Sequence, residues 1–330
     1  MAKDENVIIR RVCDGDFEQL VRLLDEVWPD VDYDKRKKMN YVLRESRGVN
    51  YCAELDGRVV GSRLSFYQNF YWGSRKLKNV QFADSCIHPV CRGKGVFINL
   101  NKAFLKDFFS RETGGDLVYN ISVIASRRAY EKCGWKYIES LMKLRNFPQP
   151  AKALLKIGFN YHKLNAHINW EHNNEVRPID PELLEARERE LTKTDLLHMR
   201  YDEETFNWRM KSESGIKSFF AQGLGCVIYK IGHRGKLTEV EIGEIFFYEY
   251  SRKSFRKMMK AFKKAFRPDI LWVMVSEGHP LKKWYSSACF FANPKQKYLH
   301  HGVRVESEEM KKICYTPQNW AISSLDIDTF

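Results

Sequence analysis

Residues 82–99, FADSCIHPVCRGKGVFIN, constrain the fold of this chain more than any other stretch. A strand-like apolar run meets Pro89, and Arg92-Gly93-Lys94-Gly95 follows. From Val96 onward apolar residues recur at helical spacing as far as Leu105. A strand that turns through a basic, glycine-bearing loop into a helix can hold a pyrophosphate. The first helical turn presents unpaired N–H groups and the positive end of the dipole. Glycine lets the backbone come close to the anion.

The chain has 330 residues, which predicts two domains. No long uncharged apolar run marks a membrane span. The charged start, Met1-Ala2-Lys3-Asp4-Glu5, has no apolar leader core behind it, so a cytoplasmic location is the expectation. The eight cysteines are scattered, without CxxC pairs or zinc spacing, and read as buried thiols in a reducing compartment. The net charge of +13 suits an anionic cofactor, an anionic acceptor or nucleic acid. Much of it sits in short runs, such as Lys35-Arg36-Lys37-Lys38, that read as solvated helix faces. No zinc-finger, recognition-helix or RNA-binding signature accompanies it, which makes nucleic acid the lesser reading.

Taken in order, residues 7–12 read as a strand and 14–28 as an amphipathic helix. A basic helix follows at 34–47. Asp56-Gly57 between two apolar runs predicts a hairpin. Another strand at 76–88 leads into the glycine loop and its helix. Strand 117–124, helix 125–133 and a last strand from Trp135 complete a mixed sheet with one crossover. Pro148 and Pro150 suggest a boundary. The expected organisation is a domain over 1–148, a connecting helix and loop over 149–181, and a second domain over 182–330. The second half repeats the rhythm, with strand 240–248, helix 251–266, strand 270–275 and a short helix at 280–288. Its turn, Glu249-Tyr250-Ser251-Arg252-Lys253, has no glycine and carries an acid. A phosphate site there is expected to be lost.

Two segments, HPVCRGKGVFINLNKAFL and AYEKCGW, one strand and one short helix apart, resemble the paired motifs of the GCN5-related N-acetyltransferase (GNAT) superfamily. The likeness spans about residues 7–140. It implies an α/β (α+β) fold of tandem GNAT-like mixed sheets, with an acyl-CoA-binding N-terminal domain and a degenerate C-terminal copy. It implies acetyl-CoA as co-substrate, with its pyrophosphate on the backbone N–H groups of Arg92, Gly93, Lys94, Gly95 and Val96. Cys86 and Ile87 would pair with the pantetheine arm like a neighbouring strand. Tyr130 would protonate the leaving thiolate. The family's last loop glycine or alanine falls on Phe97 here, a departure from the pattern.

Direct transfer needs a neutral amine, so a base must accept a proton. Asp84 on the cofactor strand is the first candidate, since alternation would place it on the face of Cys86. A strand-edge role bonded to the backbone is equally open for Asp84, and Glu54 on the hairpin strand is the second candidate. His88 beside the loop is as readily a structural or solvent-exposed residue, and Asn120 and Ser122 read better as capping groups. Cys86 and Cys91 lack a His/Asp partner pattern for covalent catalysis. The tail from Trp320 to Phe330 offers Asp326 and Asp328 to a cationic acceptor; the preferred reading docks Trp320 and Phe330 and leaves the acids in water.

The expected reaction is acyl transfer from acyl-CoA to a small-molecule primary amine, anionic or carbohydrate-linked, by direct attack in a ternary complex. The second domain would serve the acceptor, and a homodimer is compatible with the sequence. Two alternatives stand beside it. One is a tRNA-dependent aminoacyl transferase of the peptidoglycan cross-bridge type. The other is a non-catalytic binding protein on a degenerate fold.

Overall fold

The computed structural model describes residues 7–30, 34–45, 48–157, 168–211, 215–294 and 297–327. The first half runs β1 (Ile8–Arg11), α1 (Phe17–Val27), α2 (Lys35–Asn40), β2 (Tyr51–Leu55), β3 (Arg58–Trp72), β4 (Arg75–Ala83), α3 (Val96–Phe108), β5 (Leu117–Ile121), α4 (Ile124–Lys132), β6 (Lys136–Ile138) and β7 (Leu141–Asn146). Then come α5 (Pro150–Ile157), β8 (Asn169–Trp170), α6 (Pro181–Thr192), β9 (Leu197–Met199), α7 (Glu203–Lys211), β10 (Lys217–Ala221), β11 (Gly225–Arg234) and β12 (Leu237–Phe247). The chain closes with α8 (Arg252–Phe266), β13 (Ile270–Ser276), α9 (Lys282–Ser287), β14 (Phe291–Ala292), β15 (His301–Arg304) and α10 (Glu308–Cys314).

The chain forms two compact units. One holds residues 1–70, 76–138 and 300–315, the other residues 71–75, 139–299 and 316–330. The sheet of the first unit has the order β1-β2-β3-β4-β5-β15-β6, with β4 and β5 parallel. The second has β10-β11-β12-β13-β7-β14, with β12 and β13 parallel. Each sheet therefore takes one strand from the other half of the sequence. β15 lies antiparallel between β5 and β6, with His301 opposite Ile121 and Ile138. Gly302 makes this fit possible, because a Cβ there would lie 2.8 Å from Asn120 Oδ1 and 3.1 Å from Trp135 Cδ1. β7 pairs with β13 from Leu141↔Ser276 to Asn146↔Leu271.

Local signals explain most elements. Asp56 and Gly57 both have positive φ, 50° and 78°, as a two-residue hairpin turn requires. α3 buries Val96, Leu100, Phe104 and Phe108, spaced four apart, and Phe104 meets Phe82 of β4 edge-on at 4.8 Å. In the second unit, α8 buries Phe255, Met258, Met259 and Phe262. These belong to the same core as Val240 and Ile242 of β12 and Leu271 and Val273 of β13.

The tail docks through Trp320, which is 0% exposed and whose C=O accepts from Ser276 Oγ at 2.6 Å. Asp326 corrects the sequence reading: it neither faces water nor stands open to an acceptor. It is 1% exposed, and its carboxylate accepts from the Tyr201 hydroxyl and the Ser323 N–H, each at 2.8 Å. Burial raises its carboxyl above the ordinary range. Asp328 and Phe330 lie outside the described residues. Replacing Trp320 with alanine should lower the unfolding free energy of the second unit by about 3–5 kcal/mol, read by denaturant titration of residual secondary structure.

Candidate active site

The site begins where β4 leaves β5. The two strands pair in parallel through Asn79↔Leu117, Val80↔Val118 and Gln81↔Tyr119. β4 ends at Ala83, and Asp84 takes a left-handed backbone with φ 35°. The chain then returns to β3. Ser62 N–H donates to Cys86 C=O and His88 N–H donates to Val60 C=O, both at 2.8 Å, around a bridge between Gly61 and Ile87. Hydrogen bonding in an antiparallel pair alternates along the strand. Cys86 C=O and His88 N–H face β3, so the N–H and C=O of Ile87 face the other way. That is the side on which β5 has stopped pairing. Arg92 Nε donates to this Ile87 C=O at 3.1 Å.

The loop is pinned at both ends and open between. Cys91 and Val96 are buried in one cluster with Ala53, Val60 and Leu100. Arg92, Gly93, Lys94 and Gly95 between them are exposed. Gly93 and Gly95 have φ of 78° and 76°, and an added Cβ at either would meet nothing within 4 Å. The demand for glycine is therefore one of backbone conformation, which costs other residues about 1–2 kcal/mol. Gly95 is also the N-cap of α3, without a side chain to bond the first-turn N–H groups.

The second unit treats the equivalent turn differently. Residues 248–251 join β12 to α8, where residues 84–95 join β4 to α3. Ser251 Oγ caps α8 by accepting from Ser254 N–H at 3.1 Å. One helix start is closed by its own side chain; the other has no side chain to close it.

Tyr130, on α4, is buried beside this loop's helix. Its ring meets Phe97 edge-on at 5.2 Å and 87°, and Trp135 lies 5.2 Å away. Phe97 thus has a definite role: in place of a loop glycine or alanine, it packs from the first turn of α3 against the tyrosine. Sequence reasoning missed the group that joins them. Arg63 of β3 donates from Nη1 to Tyr130 Oη at 2.9 Å and from Nη2 to Asn101 Oδ1 at 2.6 Å. Its guanidinium carbon lies 3.3 Å from the Phe82 ring centroid. Asn101 Nδ2 donates in turn to Phe97 C=O at 2.7 Å. The available signal was an arginine within the apolar run 59–66.

The remaining expected residues fall into separate settings. Cys86 is buried with its Sγ 3.5 Å from Ser62 Oγ, and burial pushes its thiol up to about 12. Asp84 does not share a regular strand face with Cys86, because the left-handed turn breaks the alternation; its C=O accepts from Ser62 Oγ at 3.3 Å. Glu54 pairs with Arg10 at 2.7 Å. Arg10 also pairs with Asp16 at 2.7 Å and holds that carboxyl down at about 2. His88 Nε2 is 3.5 Å from Glu26 Oε2, and Ser122 Oγ is 2.8 Å from the Tyr137 hydroxyl. Among the described residues, no group of three His, Cys, Asp or Glu side chains could hold a metal ion, and no helix is long and apolar enough to cross a membrane.

Residues 8–138 match the model of an acetyltransferase (GNAT) domain family. No curated protein matches the chain in sequence. Among solved structures, the GCN5-related N-acetyltransferase from Kribbella flavida is similar with a TM-score of 0.62 at 14% identity, over 92% of this chain and 72% of that one. A putative acetyltransferase from Pyrococcus horikoshii gives 0.52 at 13%, over 98% and 95%. The glucosamine N-acetyltransferase region of a fungal multi-domain GH3 β-N-acetylglucosaminidase gives 0.53 at 16%, over 92% and 38%. At these identities the likeness is one of fold. Residues 8–138, which hold the glycine loop at α3 and the tyrosine motif of α4, match the GNAT domain model, and the likeness of fold to GCN5-related N-acetyltransferases runs over most of the chain.

Proposed function

We propose that the first unit transfers an acyl group from acyl-CoA to a primary amine. The observation that carries this is the strand edge at Ile87 leading into an α3 whose N-cap has no side chain. Backbone N–H groups from Arg92 to Val96 hold the pyrophosphate there, and the outward N–H and C=O of Ile87 pair with the pantetheine amides. Arg92 releases the Ile87 carbonyl when the arm enters. The thioester supplies the activated acyl carbon.

The amine attacks that carbon directly. A covalent relay through Cys86 is disfavoured, since a thiol pushed up to about 12 leaves roughly one molecule in ten thousand as thiolate at pH 8. Tyr130 protonates the departing sulfur. Asp84 is the preferred base, directly or through water. Glu54 is the lesser candidate because Arg10 already holds it. The net charge of +13 favours an anionic or carbohydrate-linked acceptor. An amino sugar is the first to test, given that one fold relative carries a glucosamine N-acetyltransferase function. The shortened, serine-capped turn before α8 supports one acyl-CoA site per chain.

Calorimetry with acetyl-CoA should give about one site per chain. Lys94→Glu should weaken binding about tenfold by placing a carboxylate beside the phosphates. Tyr130→Phe should leave the affinity unchanged and lower turnover by about a hundredfold. Absence of binding at millimolar acetyl-CoA overturns the reading.

Iodoacetamide at pH 8 should label the exposed Cys13 and Cys289 and spare Cys86, as peptide mass spectrometry would report. Cys86→Ala should retain turnover; its abolition would restore a covalent route.

A further inference from the structure

Arg63 is a buried cation without a carboxylate. It is 1% exposed, and among the described residues its hydrogen-bond partners are Tyr130 and Asn101, while Nε has none. A buried guanidinium ordinarily sits against an acid, since removing an unpaired charge from water costs several kcal/mol. In the second unit buried Arg187 follows that rule, with Glu244 at 3.1 Å and Asp326 at 3.8 Å. Around Arg63, β4 presents Phe82 and α3 presents Phe97 and Asn101, all neutral. The nearby groups that can become negative are Tyr130 and Cys133 of α4 and Tyr137 of β6. Burial raises Cys133 and pushes Tyr137 up to about 12, which keeps both neutral. Tyr130 is the one bonded directly to the cation.

We propose that Arg63 is a positioning residue for the transfer step, poised to neutralise the phenolate that Tyr130 becomes after it protonates the leaving thiolate. This rests on Tyr130 being the acid of an acyltransferase. The amine nitrogen forms a bond to the thioester carbon, and the carbon–sulfur bond breaks. The sulfur takes the Tyr130 proton and leaves as the thiol. The phenolate receives two stabilising contacts on hand: the Nη1–H bond and the guanidinium charge. The proton lost from the new amide nitrogen returns to the phenolate through the base or water, so the cycle takes no proton from Arg63. Because Nη1–H already occupies one lone pair of Tyr130 Oη, the tyrosine's own proton is directed away from Arg63. Asn101 fixes the other arm of the fork and is itself tied to Phe97 C=O. The cation is thereby held in register with the helix that opens at the glycine loop.

The test uses the full chain, with thiol release from acetyl-CoA measured against glucosamine and ethylamine as acceptor probes and acetyl-CoA affinity measured by calorimetry. Arg63→Met should leave the dissociation constant within about twofold and lower kcat by about tenfold or more. In a Tyr130→Phe background the same change should cost less than about twofold, because its route is already removed. Arg63→Lys should recover part of the loss. Asn101→Asp keeps the fold independent of the Met variant by giving Arg63 a carboxylate. It should hold or raise the melting temperature and still lower kcat, since the charge is drawn away from Tyr130. Equal losses from Arg63→Met with and without Tyr130, or unchanged kcat in Asn101→Asp, overturn the assignment of Arg63 alone. A wild-type chain that binds no acetyl-CoA, or Tyr130→Phe with full turnover, overturns the acyltransferase reading and this proposal with it.

Discussion

Two backbone hydrogen bonds hold the candidate site together: Ser62 N–H to Cys86 C=O and His88 N–H to Val60 C=O. They bring the chain back to β3 after the break at Asp84. Had β4 continued its parallel ladder with β5, the polar groups of Ile87 would be spent inside the sheet. Instead one edge of the returning segment is satisfied by β3 and the other is turned outward. A bulge that ends one pairing and re-aims the strand is a recurrent way to make backbone available to a ligand. The glycine loop and α3 continue from that edge, so the outward backbone of Ile87 and the open start of α3 follow from a single strand.

The two units build the same plan around two different helix starts. Both have a parallel strand pair with a helix between. Before α3 the turn is long, exposed and twice left-handed at glycine. Before α8 it is short and ends on a serine that satisfies the helix itself. The energetic logic is simple. First-turn N–H groups need an acceptor. A side chain supplies one permanently, whereas a glycine N-cap leaves the position to water or an anion. In the interior of the second unit, Glu244 on β12 is buried against His279 and Arg187, and against the upward push of burial these partners hold its carboxyl at about 2. That carboxylate is committed to structure.

Sequence-level reasoning reached what is local. The Asp56-Gly57 hairpin, the loop 92–95 and the helix after it rest on short-range chemistry that the residues announce. It failed where the answer depends on distant pairing. His301-Gly302-Val303-Arg304 has no alternating pattern that marks it as a central strand, and its place between β5 and β6 is set by residues more than a hundred positions away. A regular pleat would place Asp84 and Cys86 on one face, and one left-handed residue breaks it. An acid near a chain end suggests a surface position, yet Asp326 is buried against Tyr201, far back in the chain. Phe97 was an anomaly in sequence because its partner, Tyr130, stands on another helix.

Arg63 was hidden for a related reason. Within an apolar strand an arginine suggests an exposed edge, yet β3 is interior and the side chain is enclosed by Phe82, Phe97 and Tyr130. Aromatic faces partly compensate a cation and do not neutralise it. Asn101 can accept a hydrogen bond but carries no charge. The chain therefore maintains an unneutralised guanidinium in its first unit while providing Arg187 with two carboxylates in its second. A purely structural arginine gains from such a counterion, and the position of Asn101, one atom type away from an aspartate, could have supplied it. What a counterion would remove is the electrostatic demand on the tyrosine oxygen. In the resting protein the Tyr130 oxygen and the Asn101 amide oxygen are what the guanidinium has in place of a counterion.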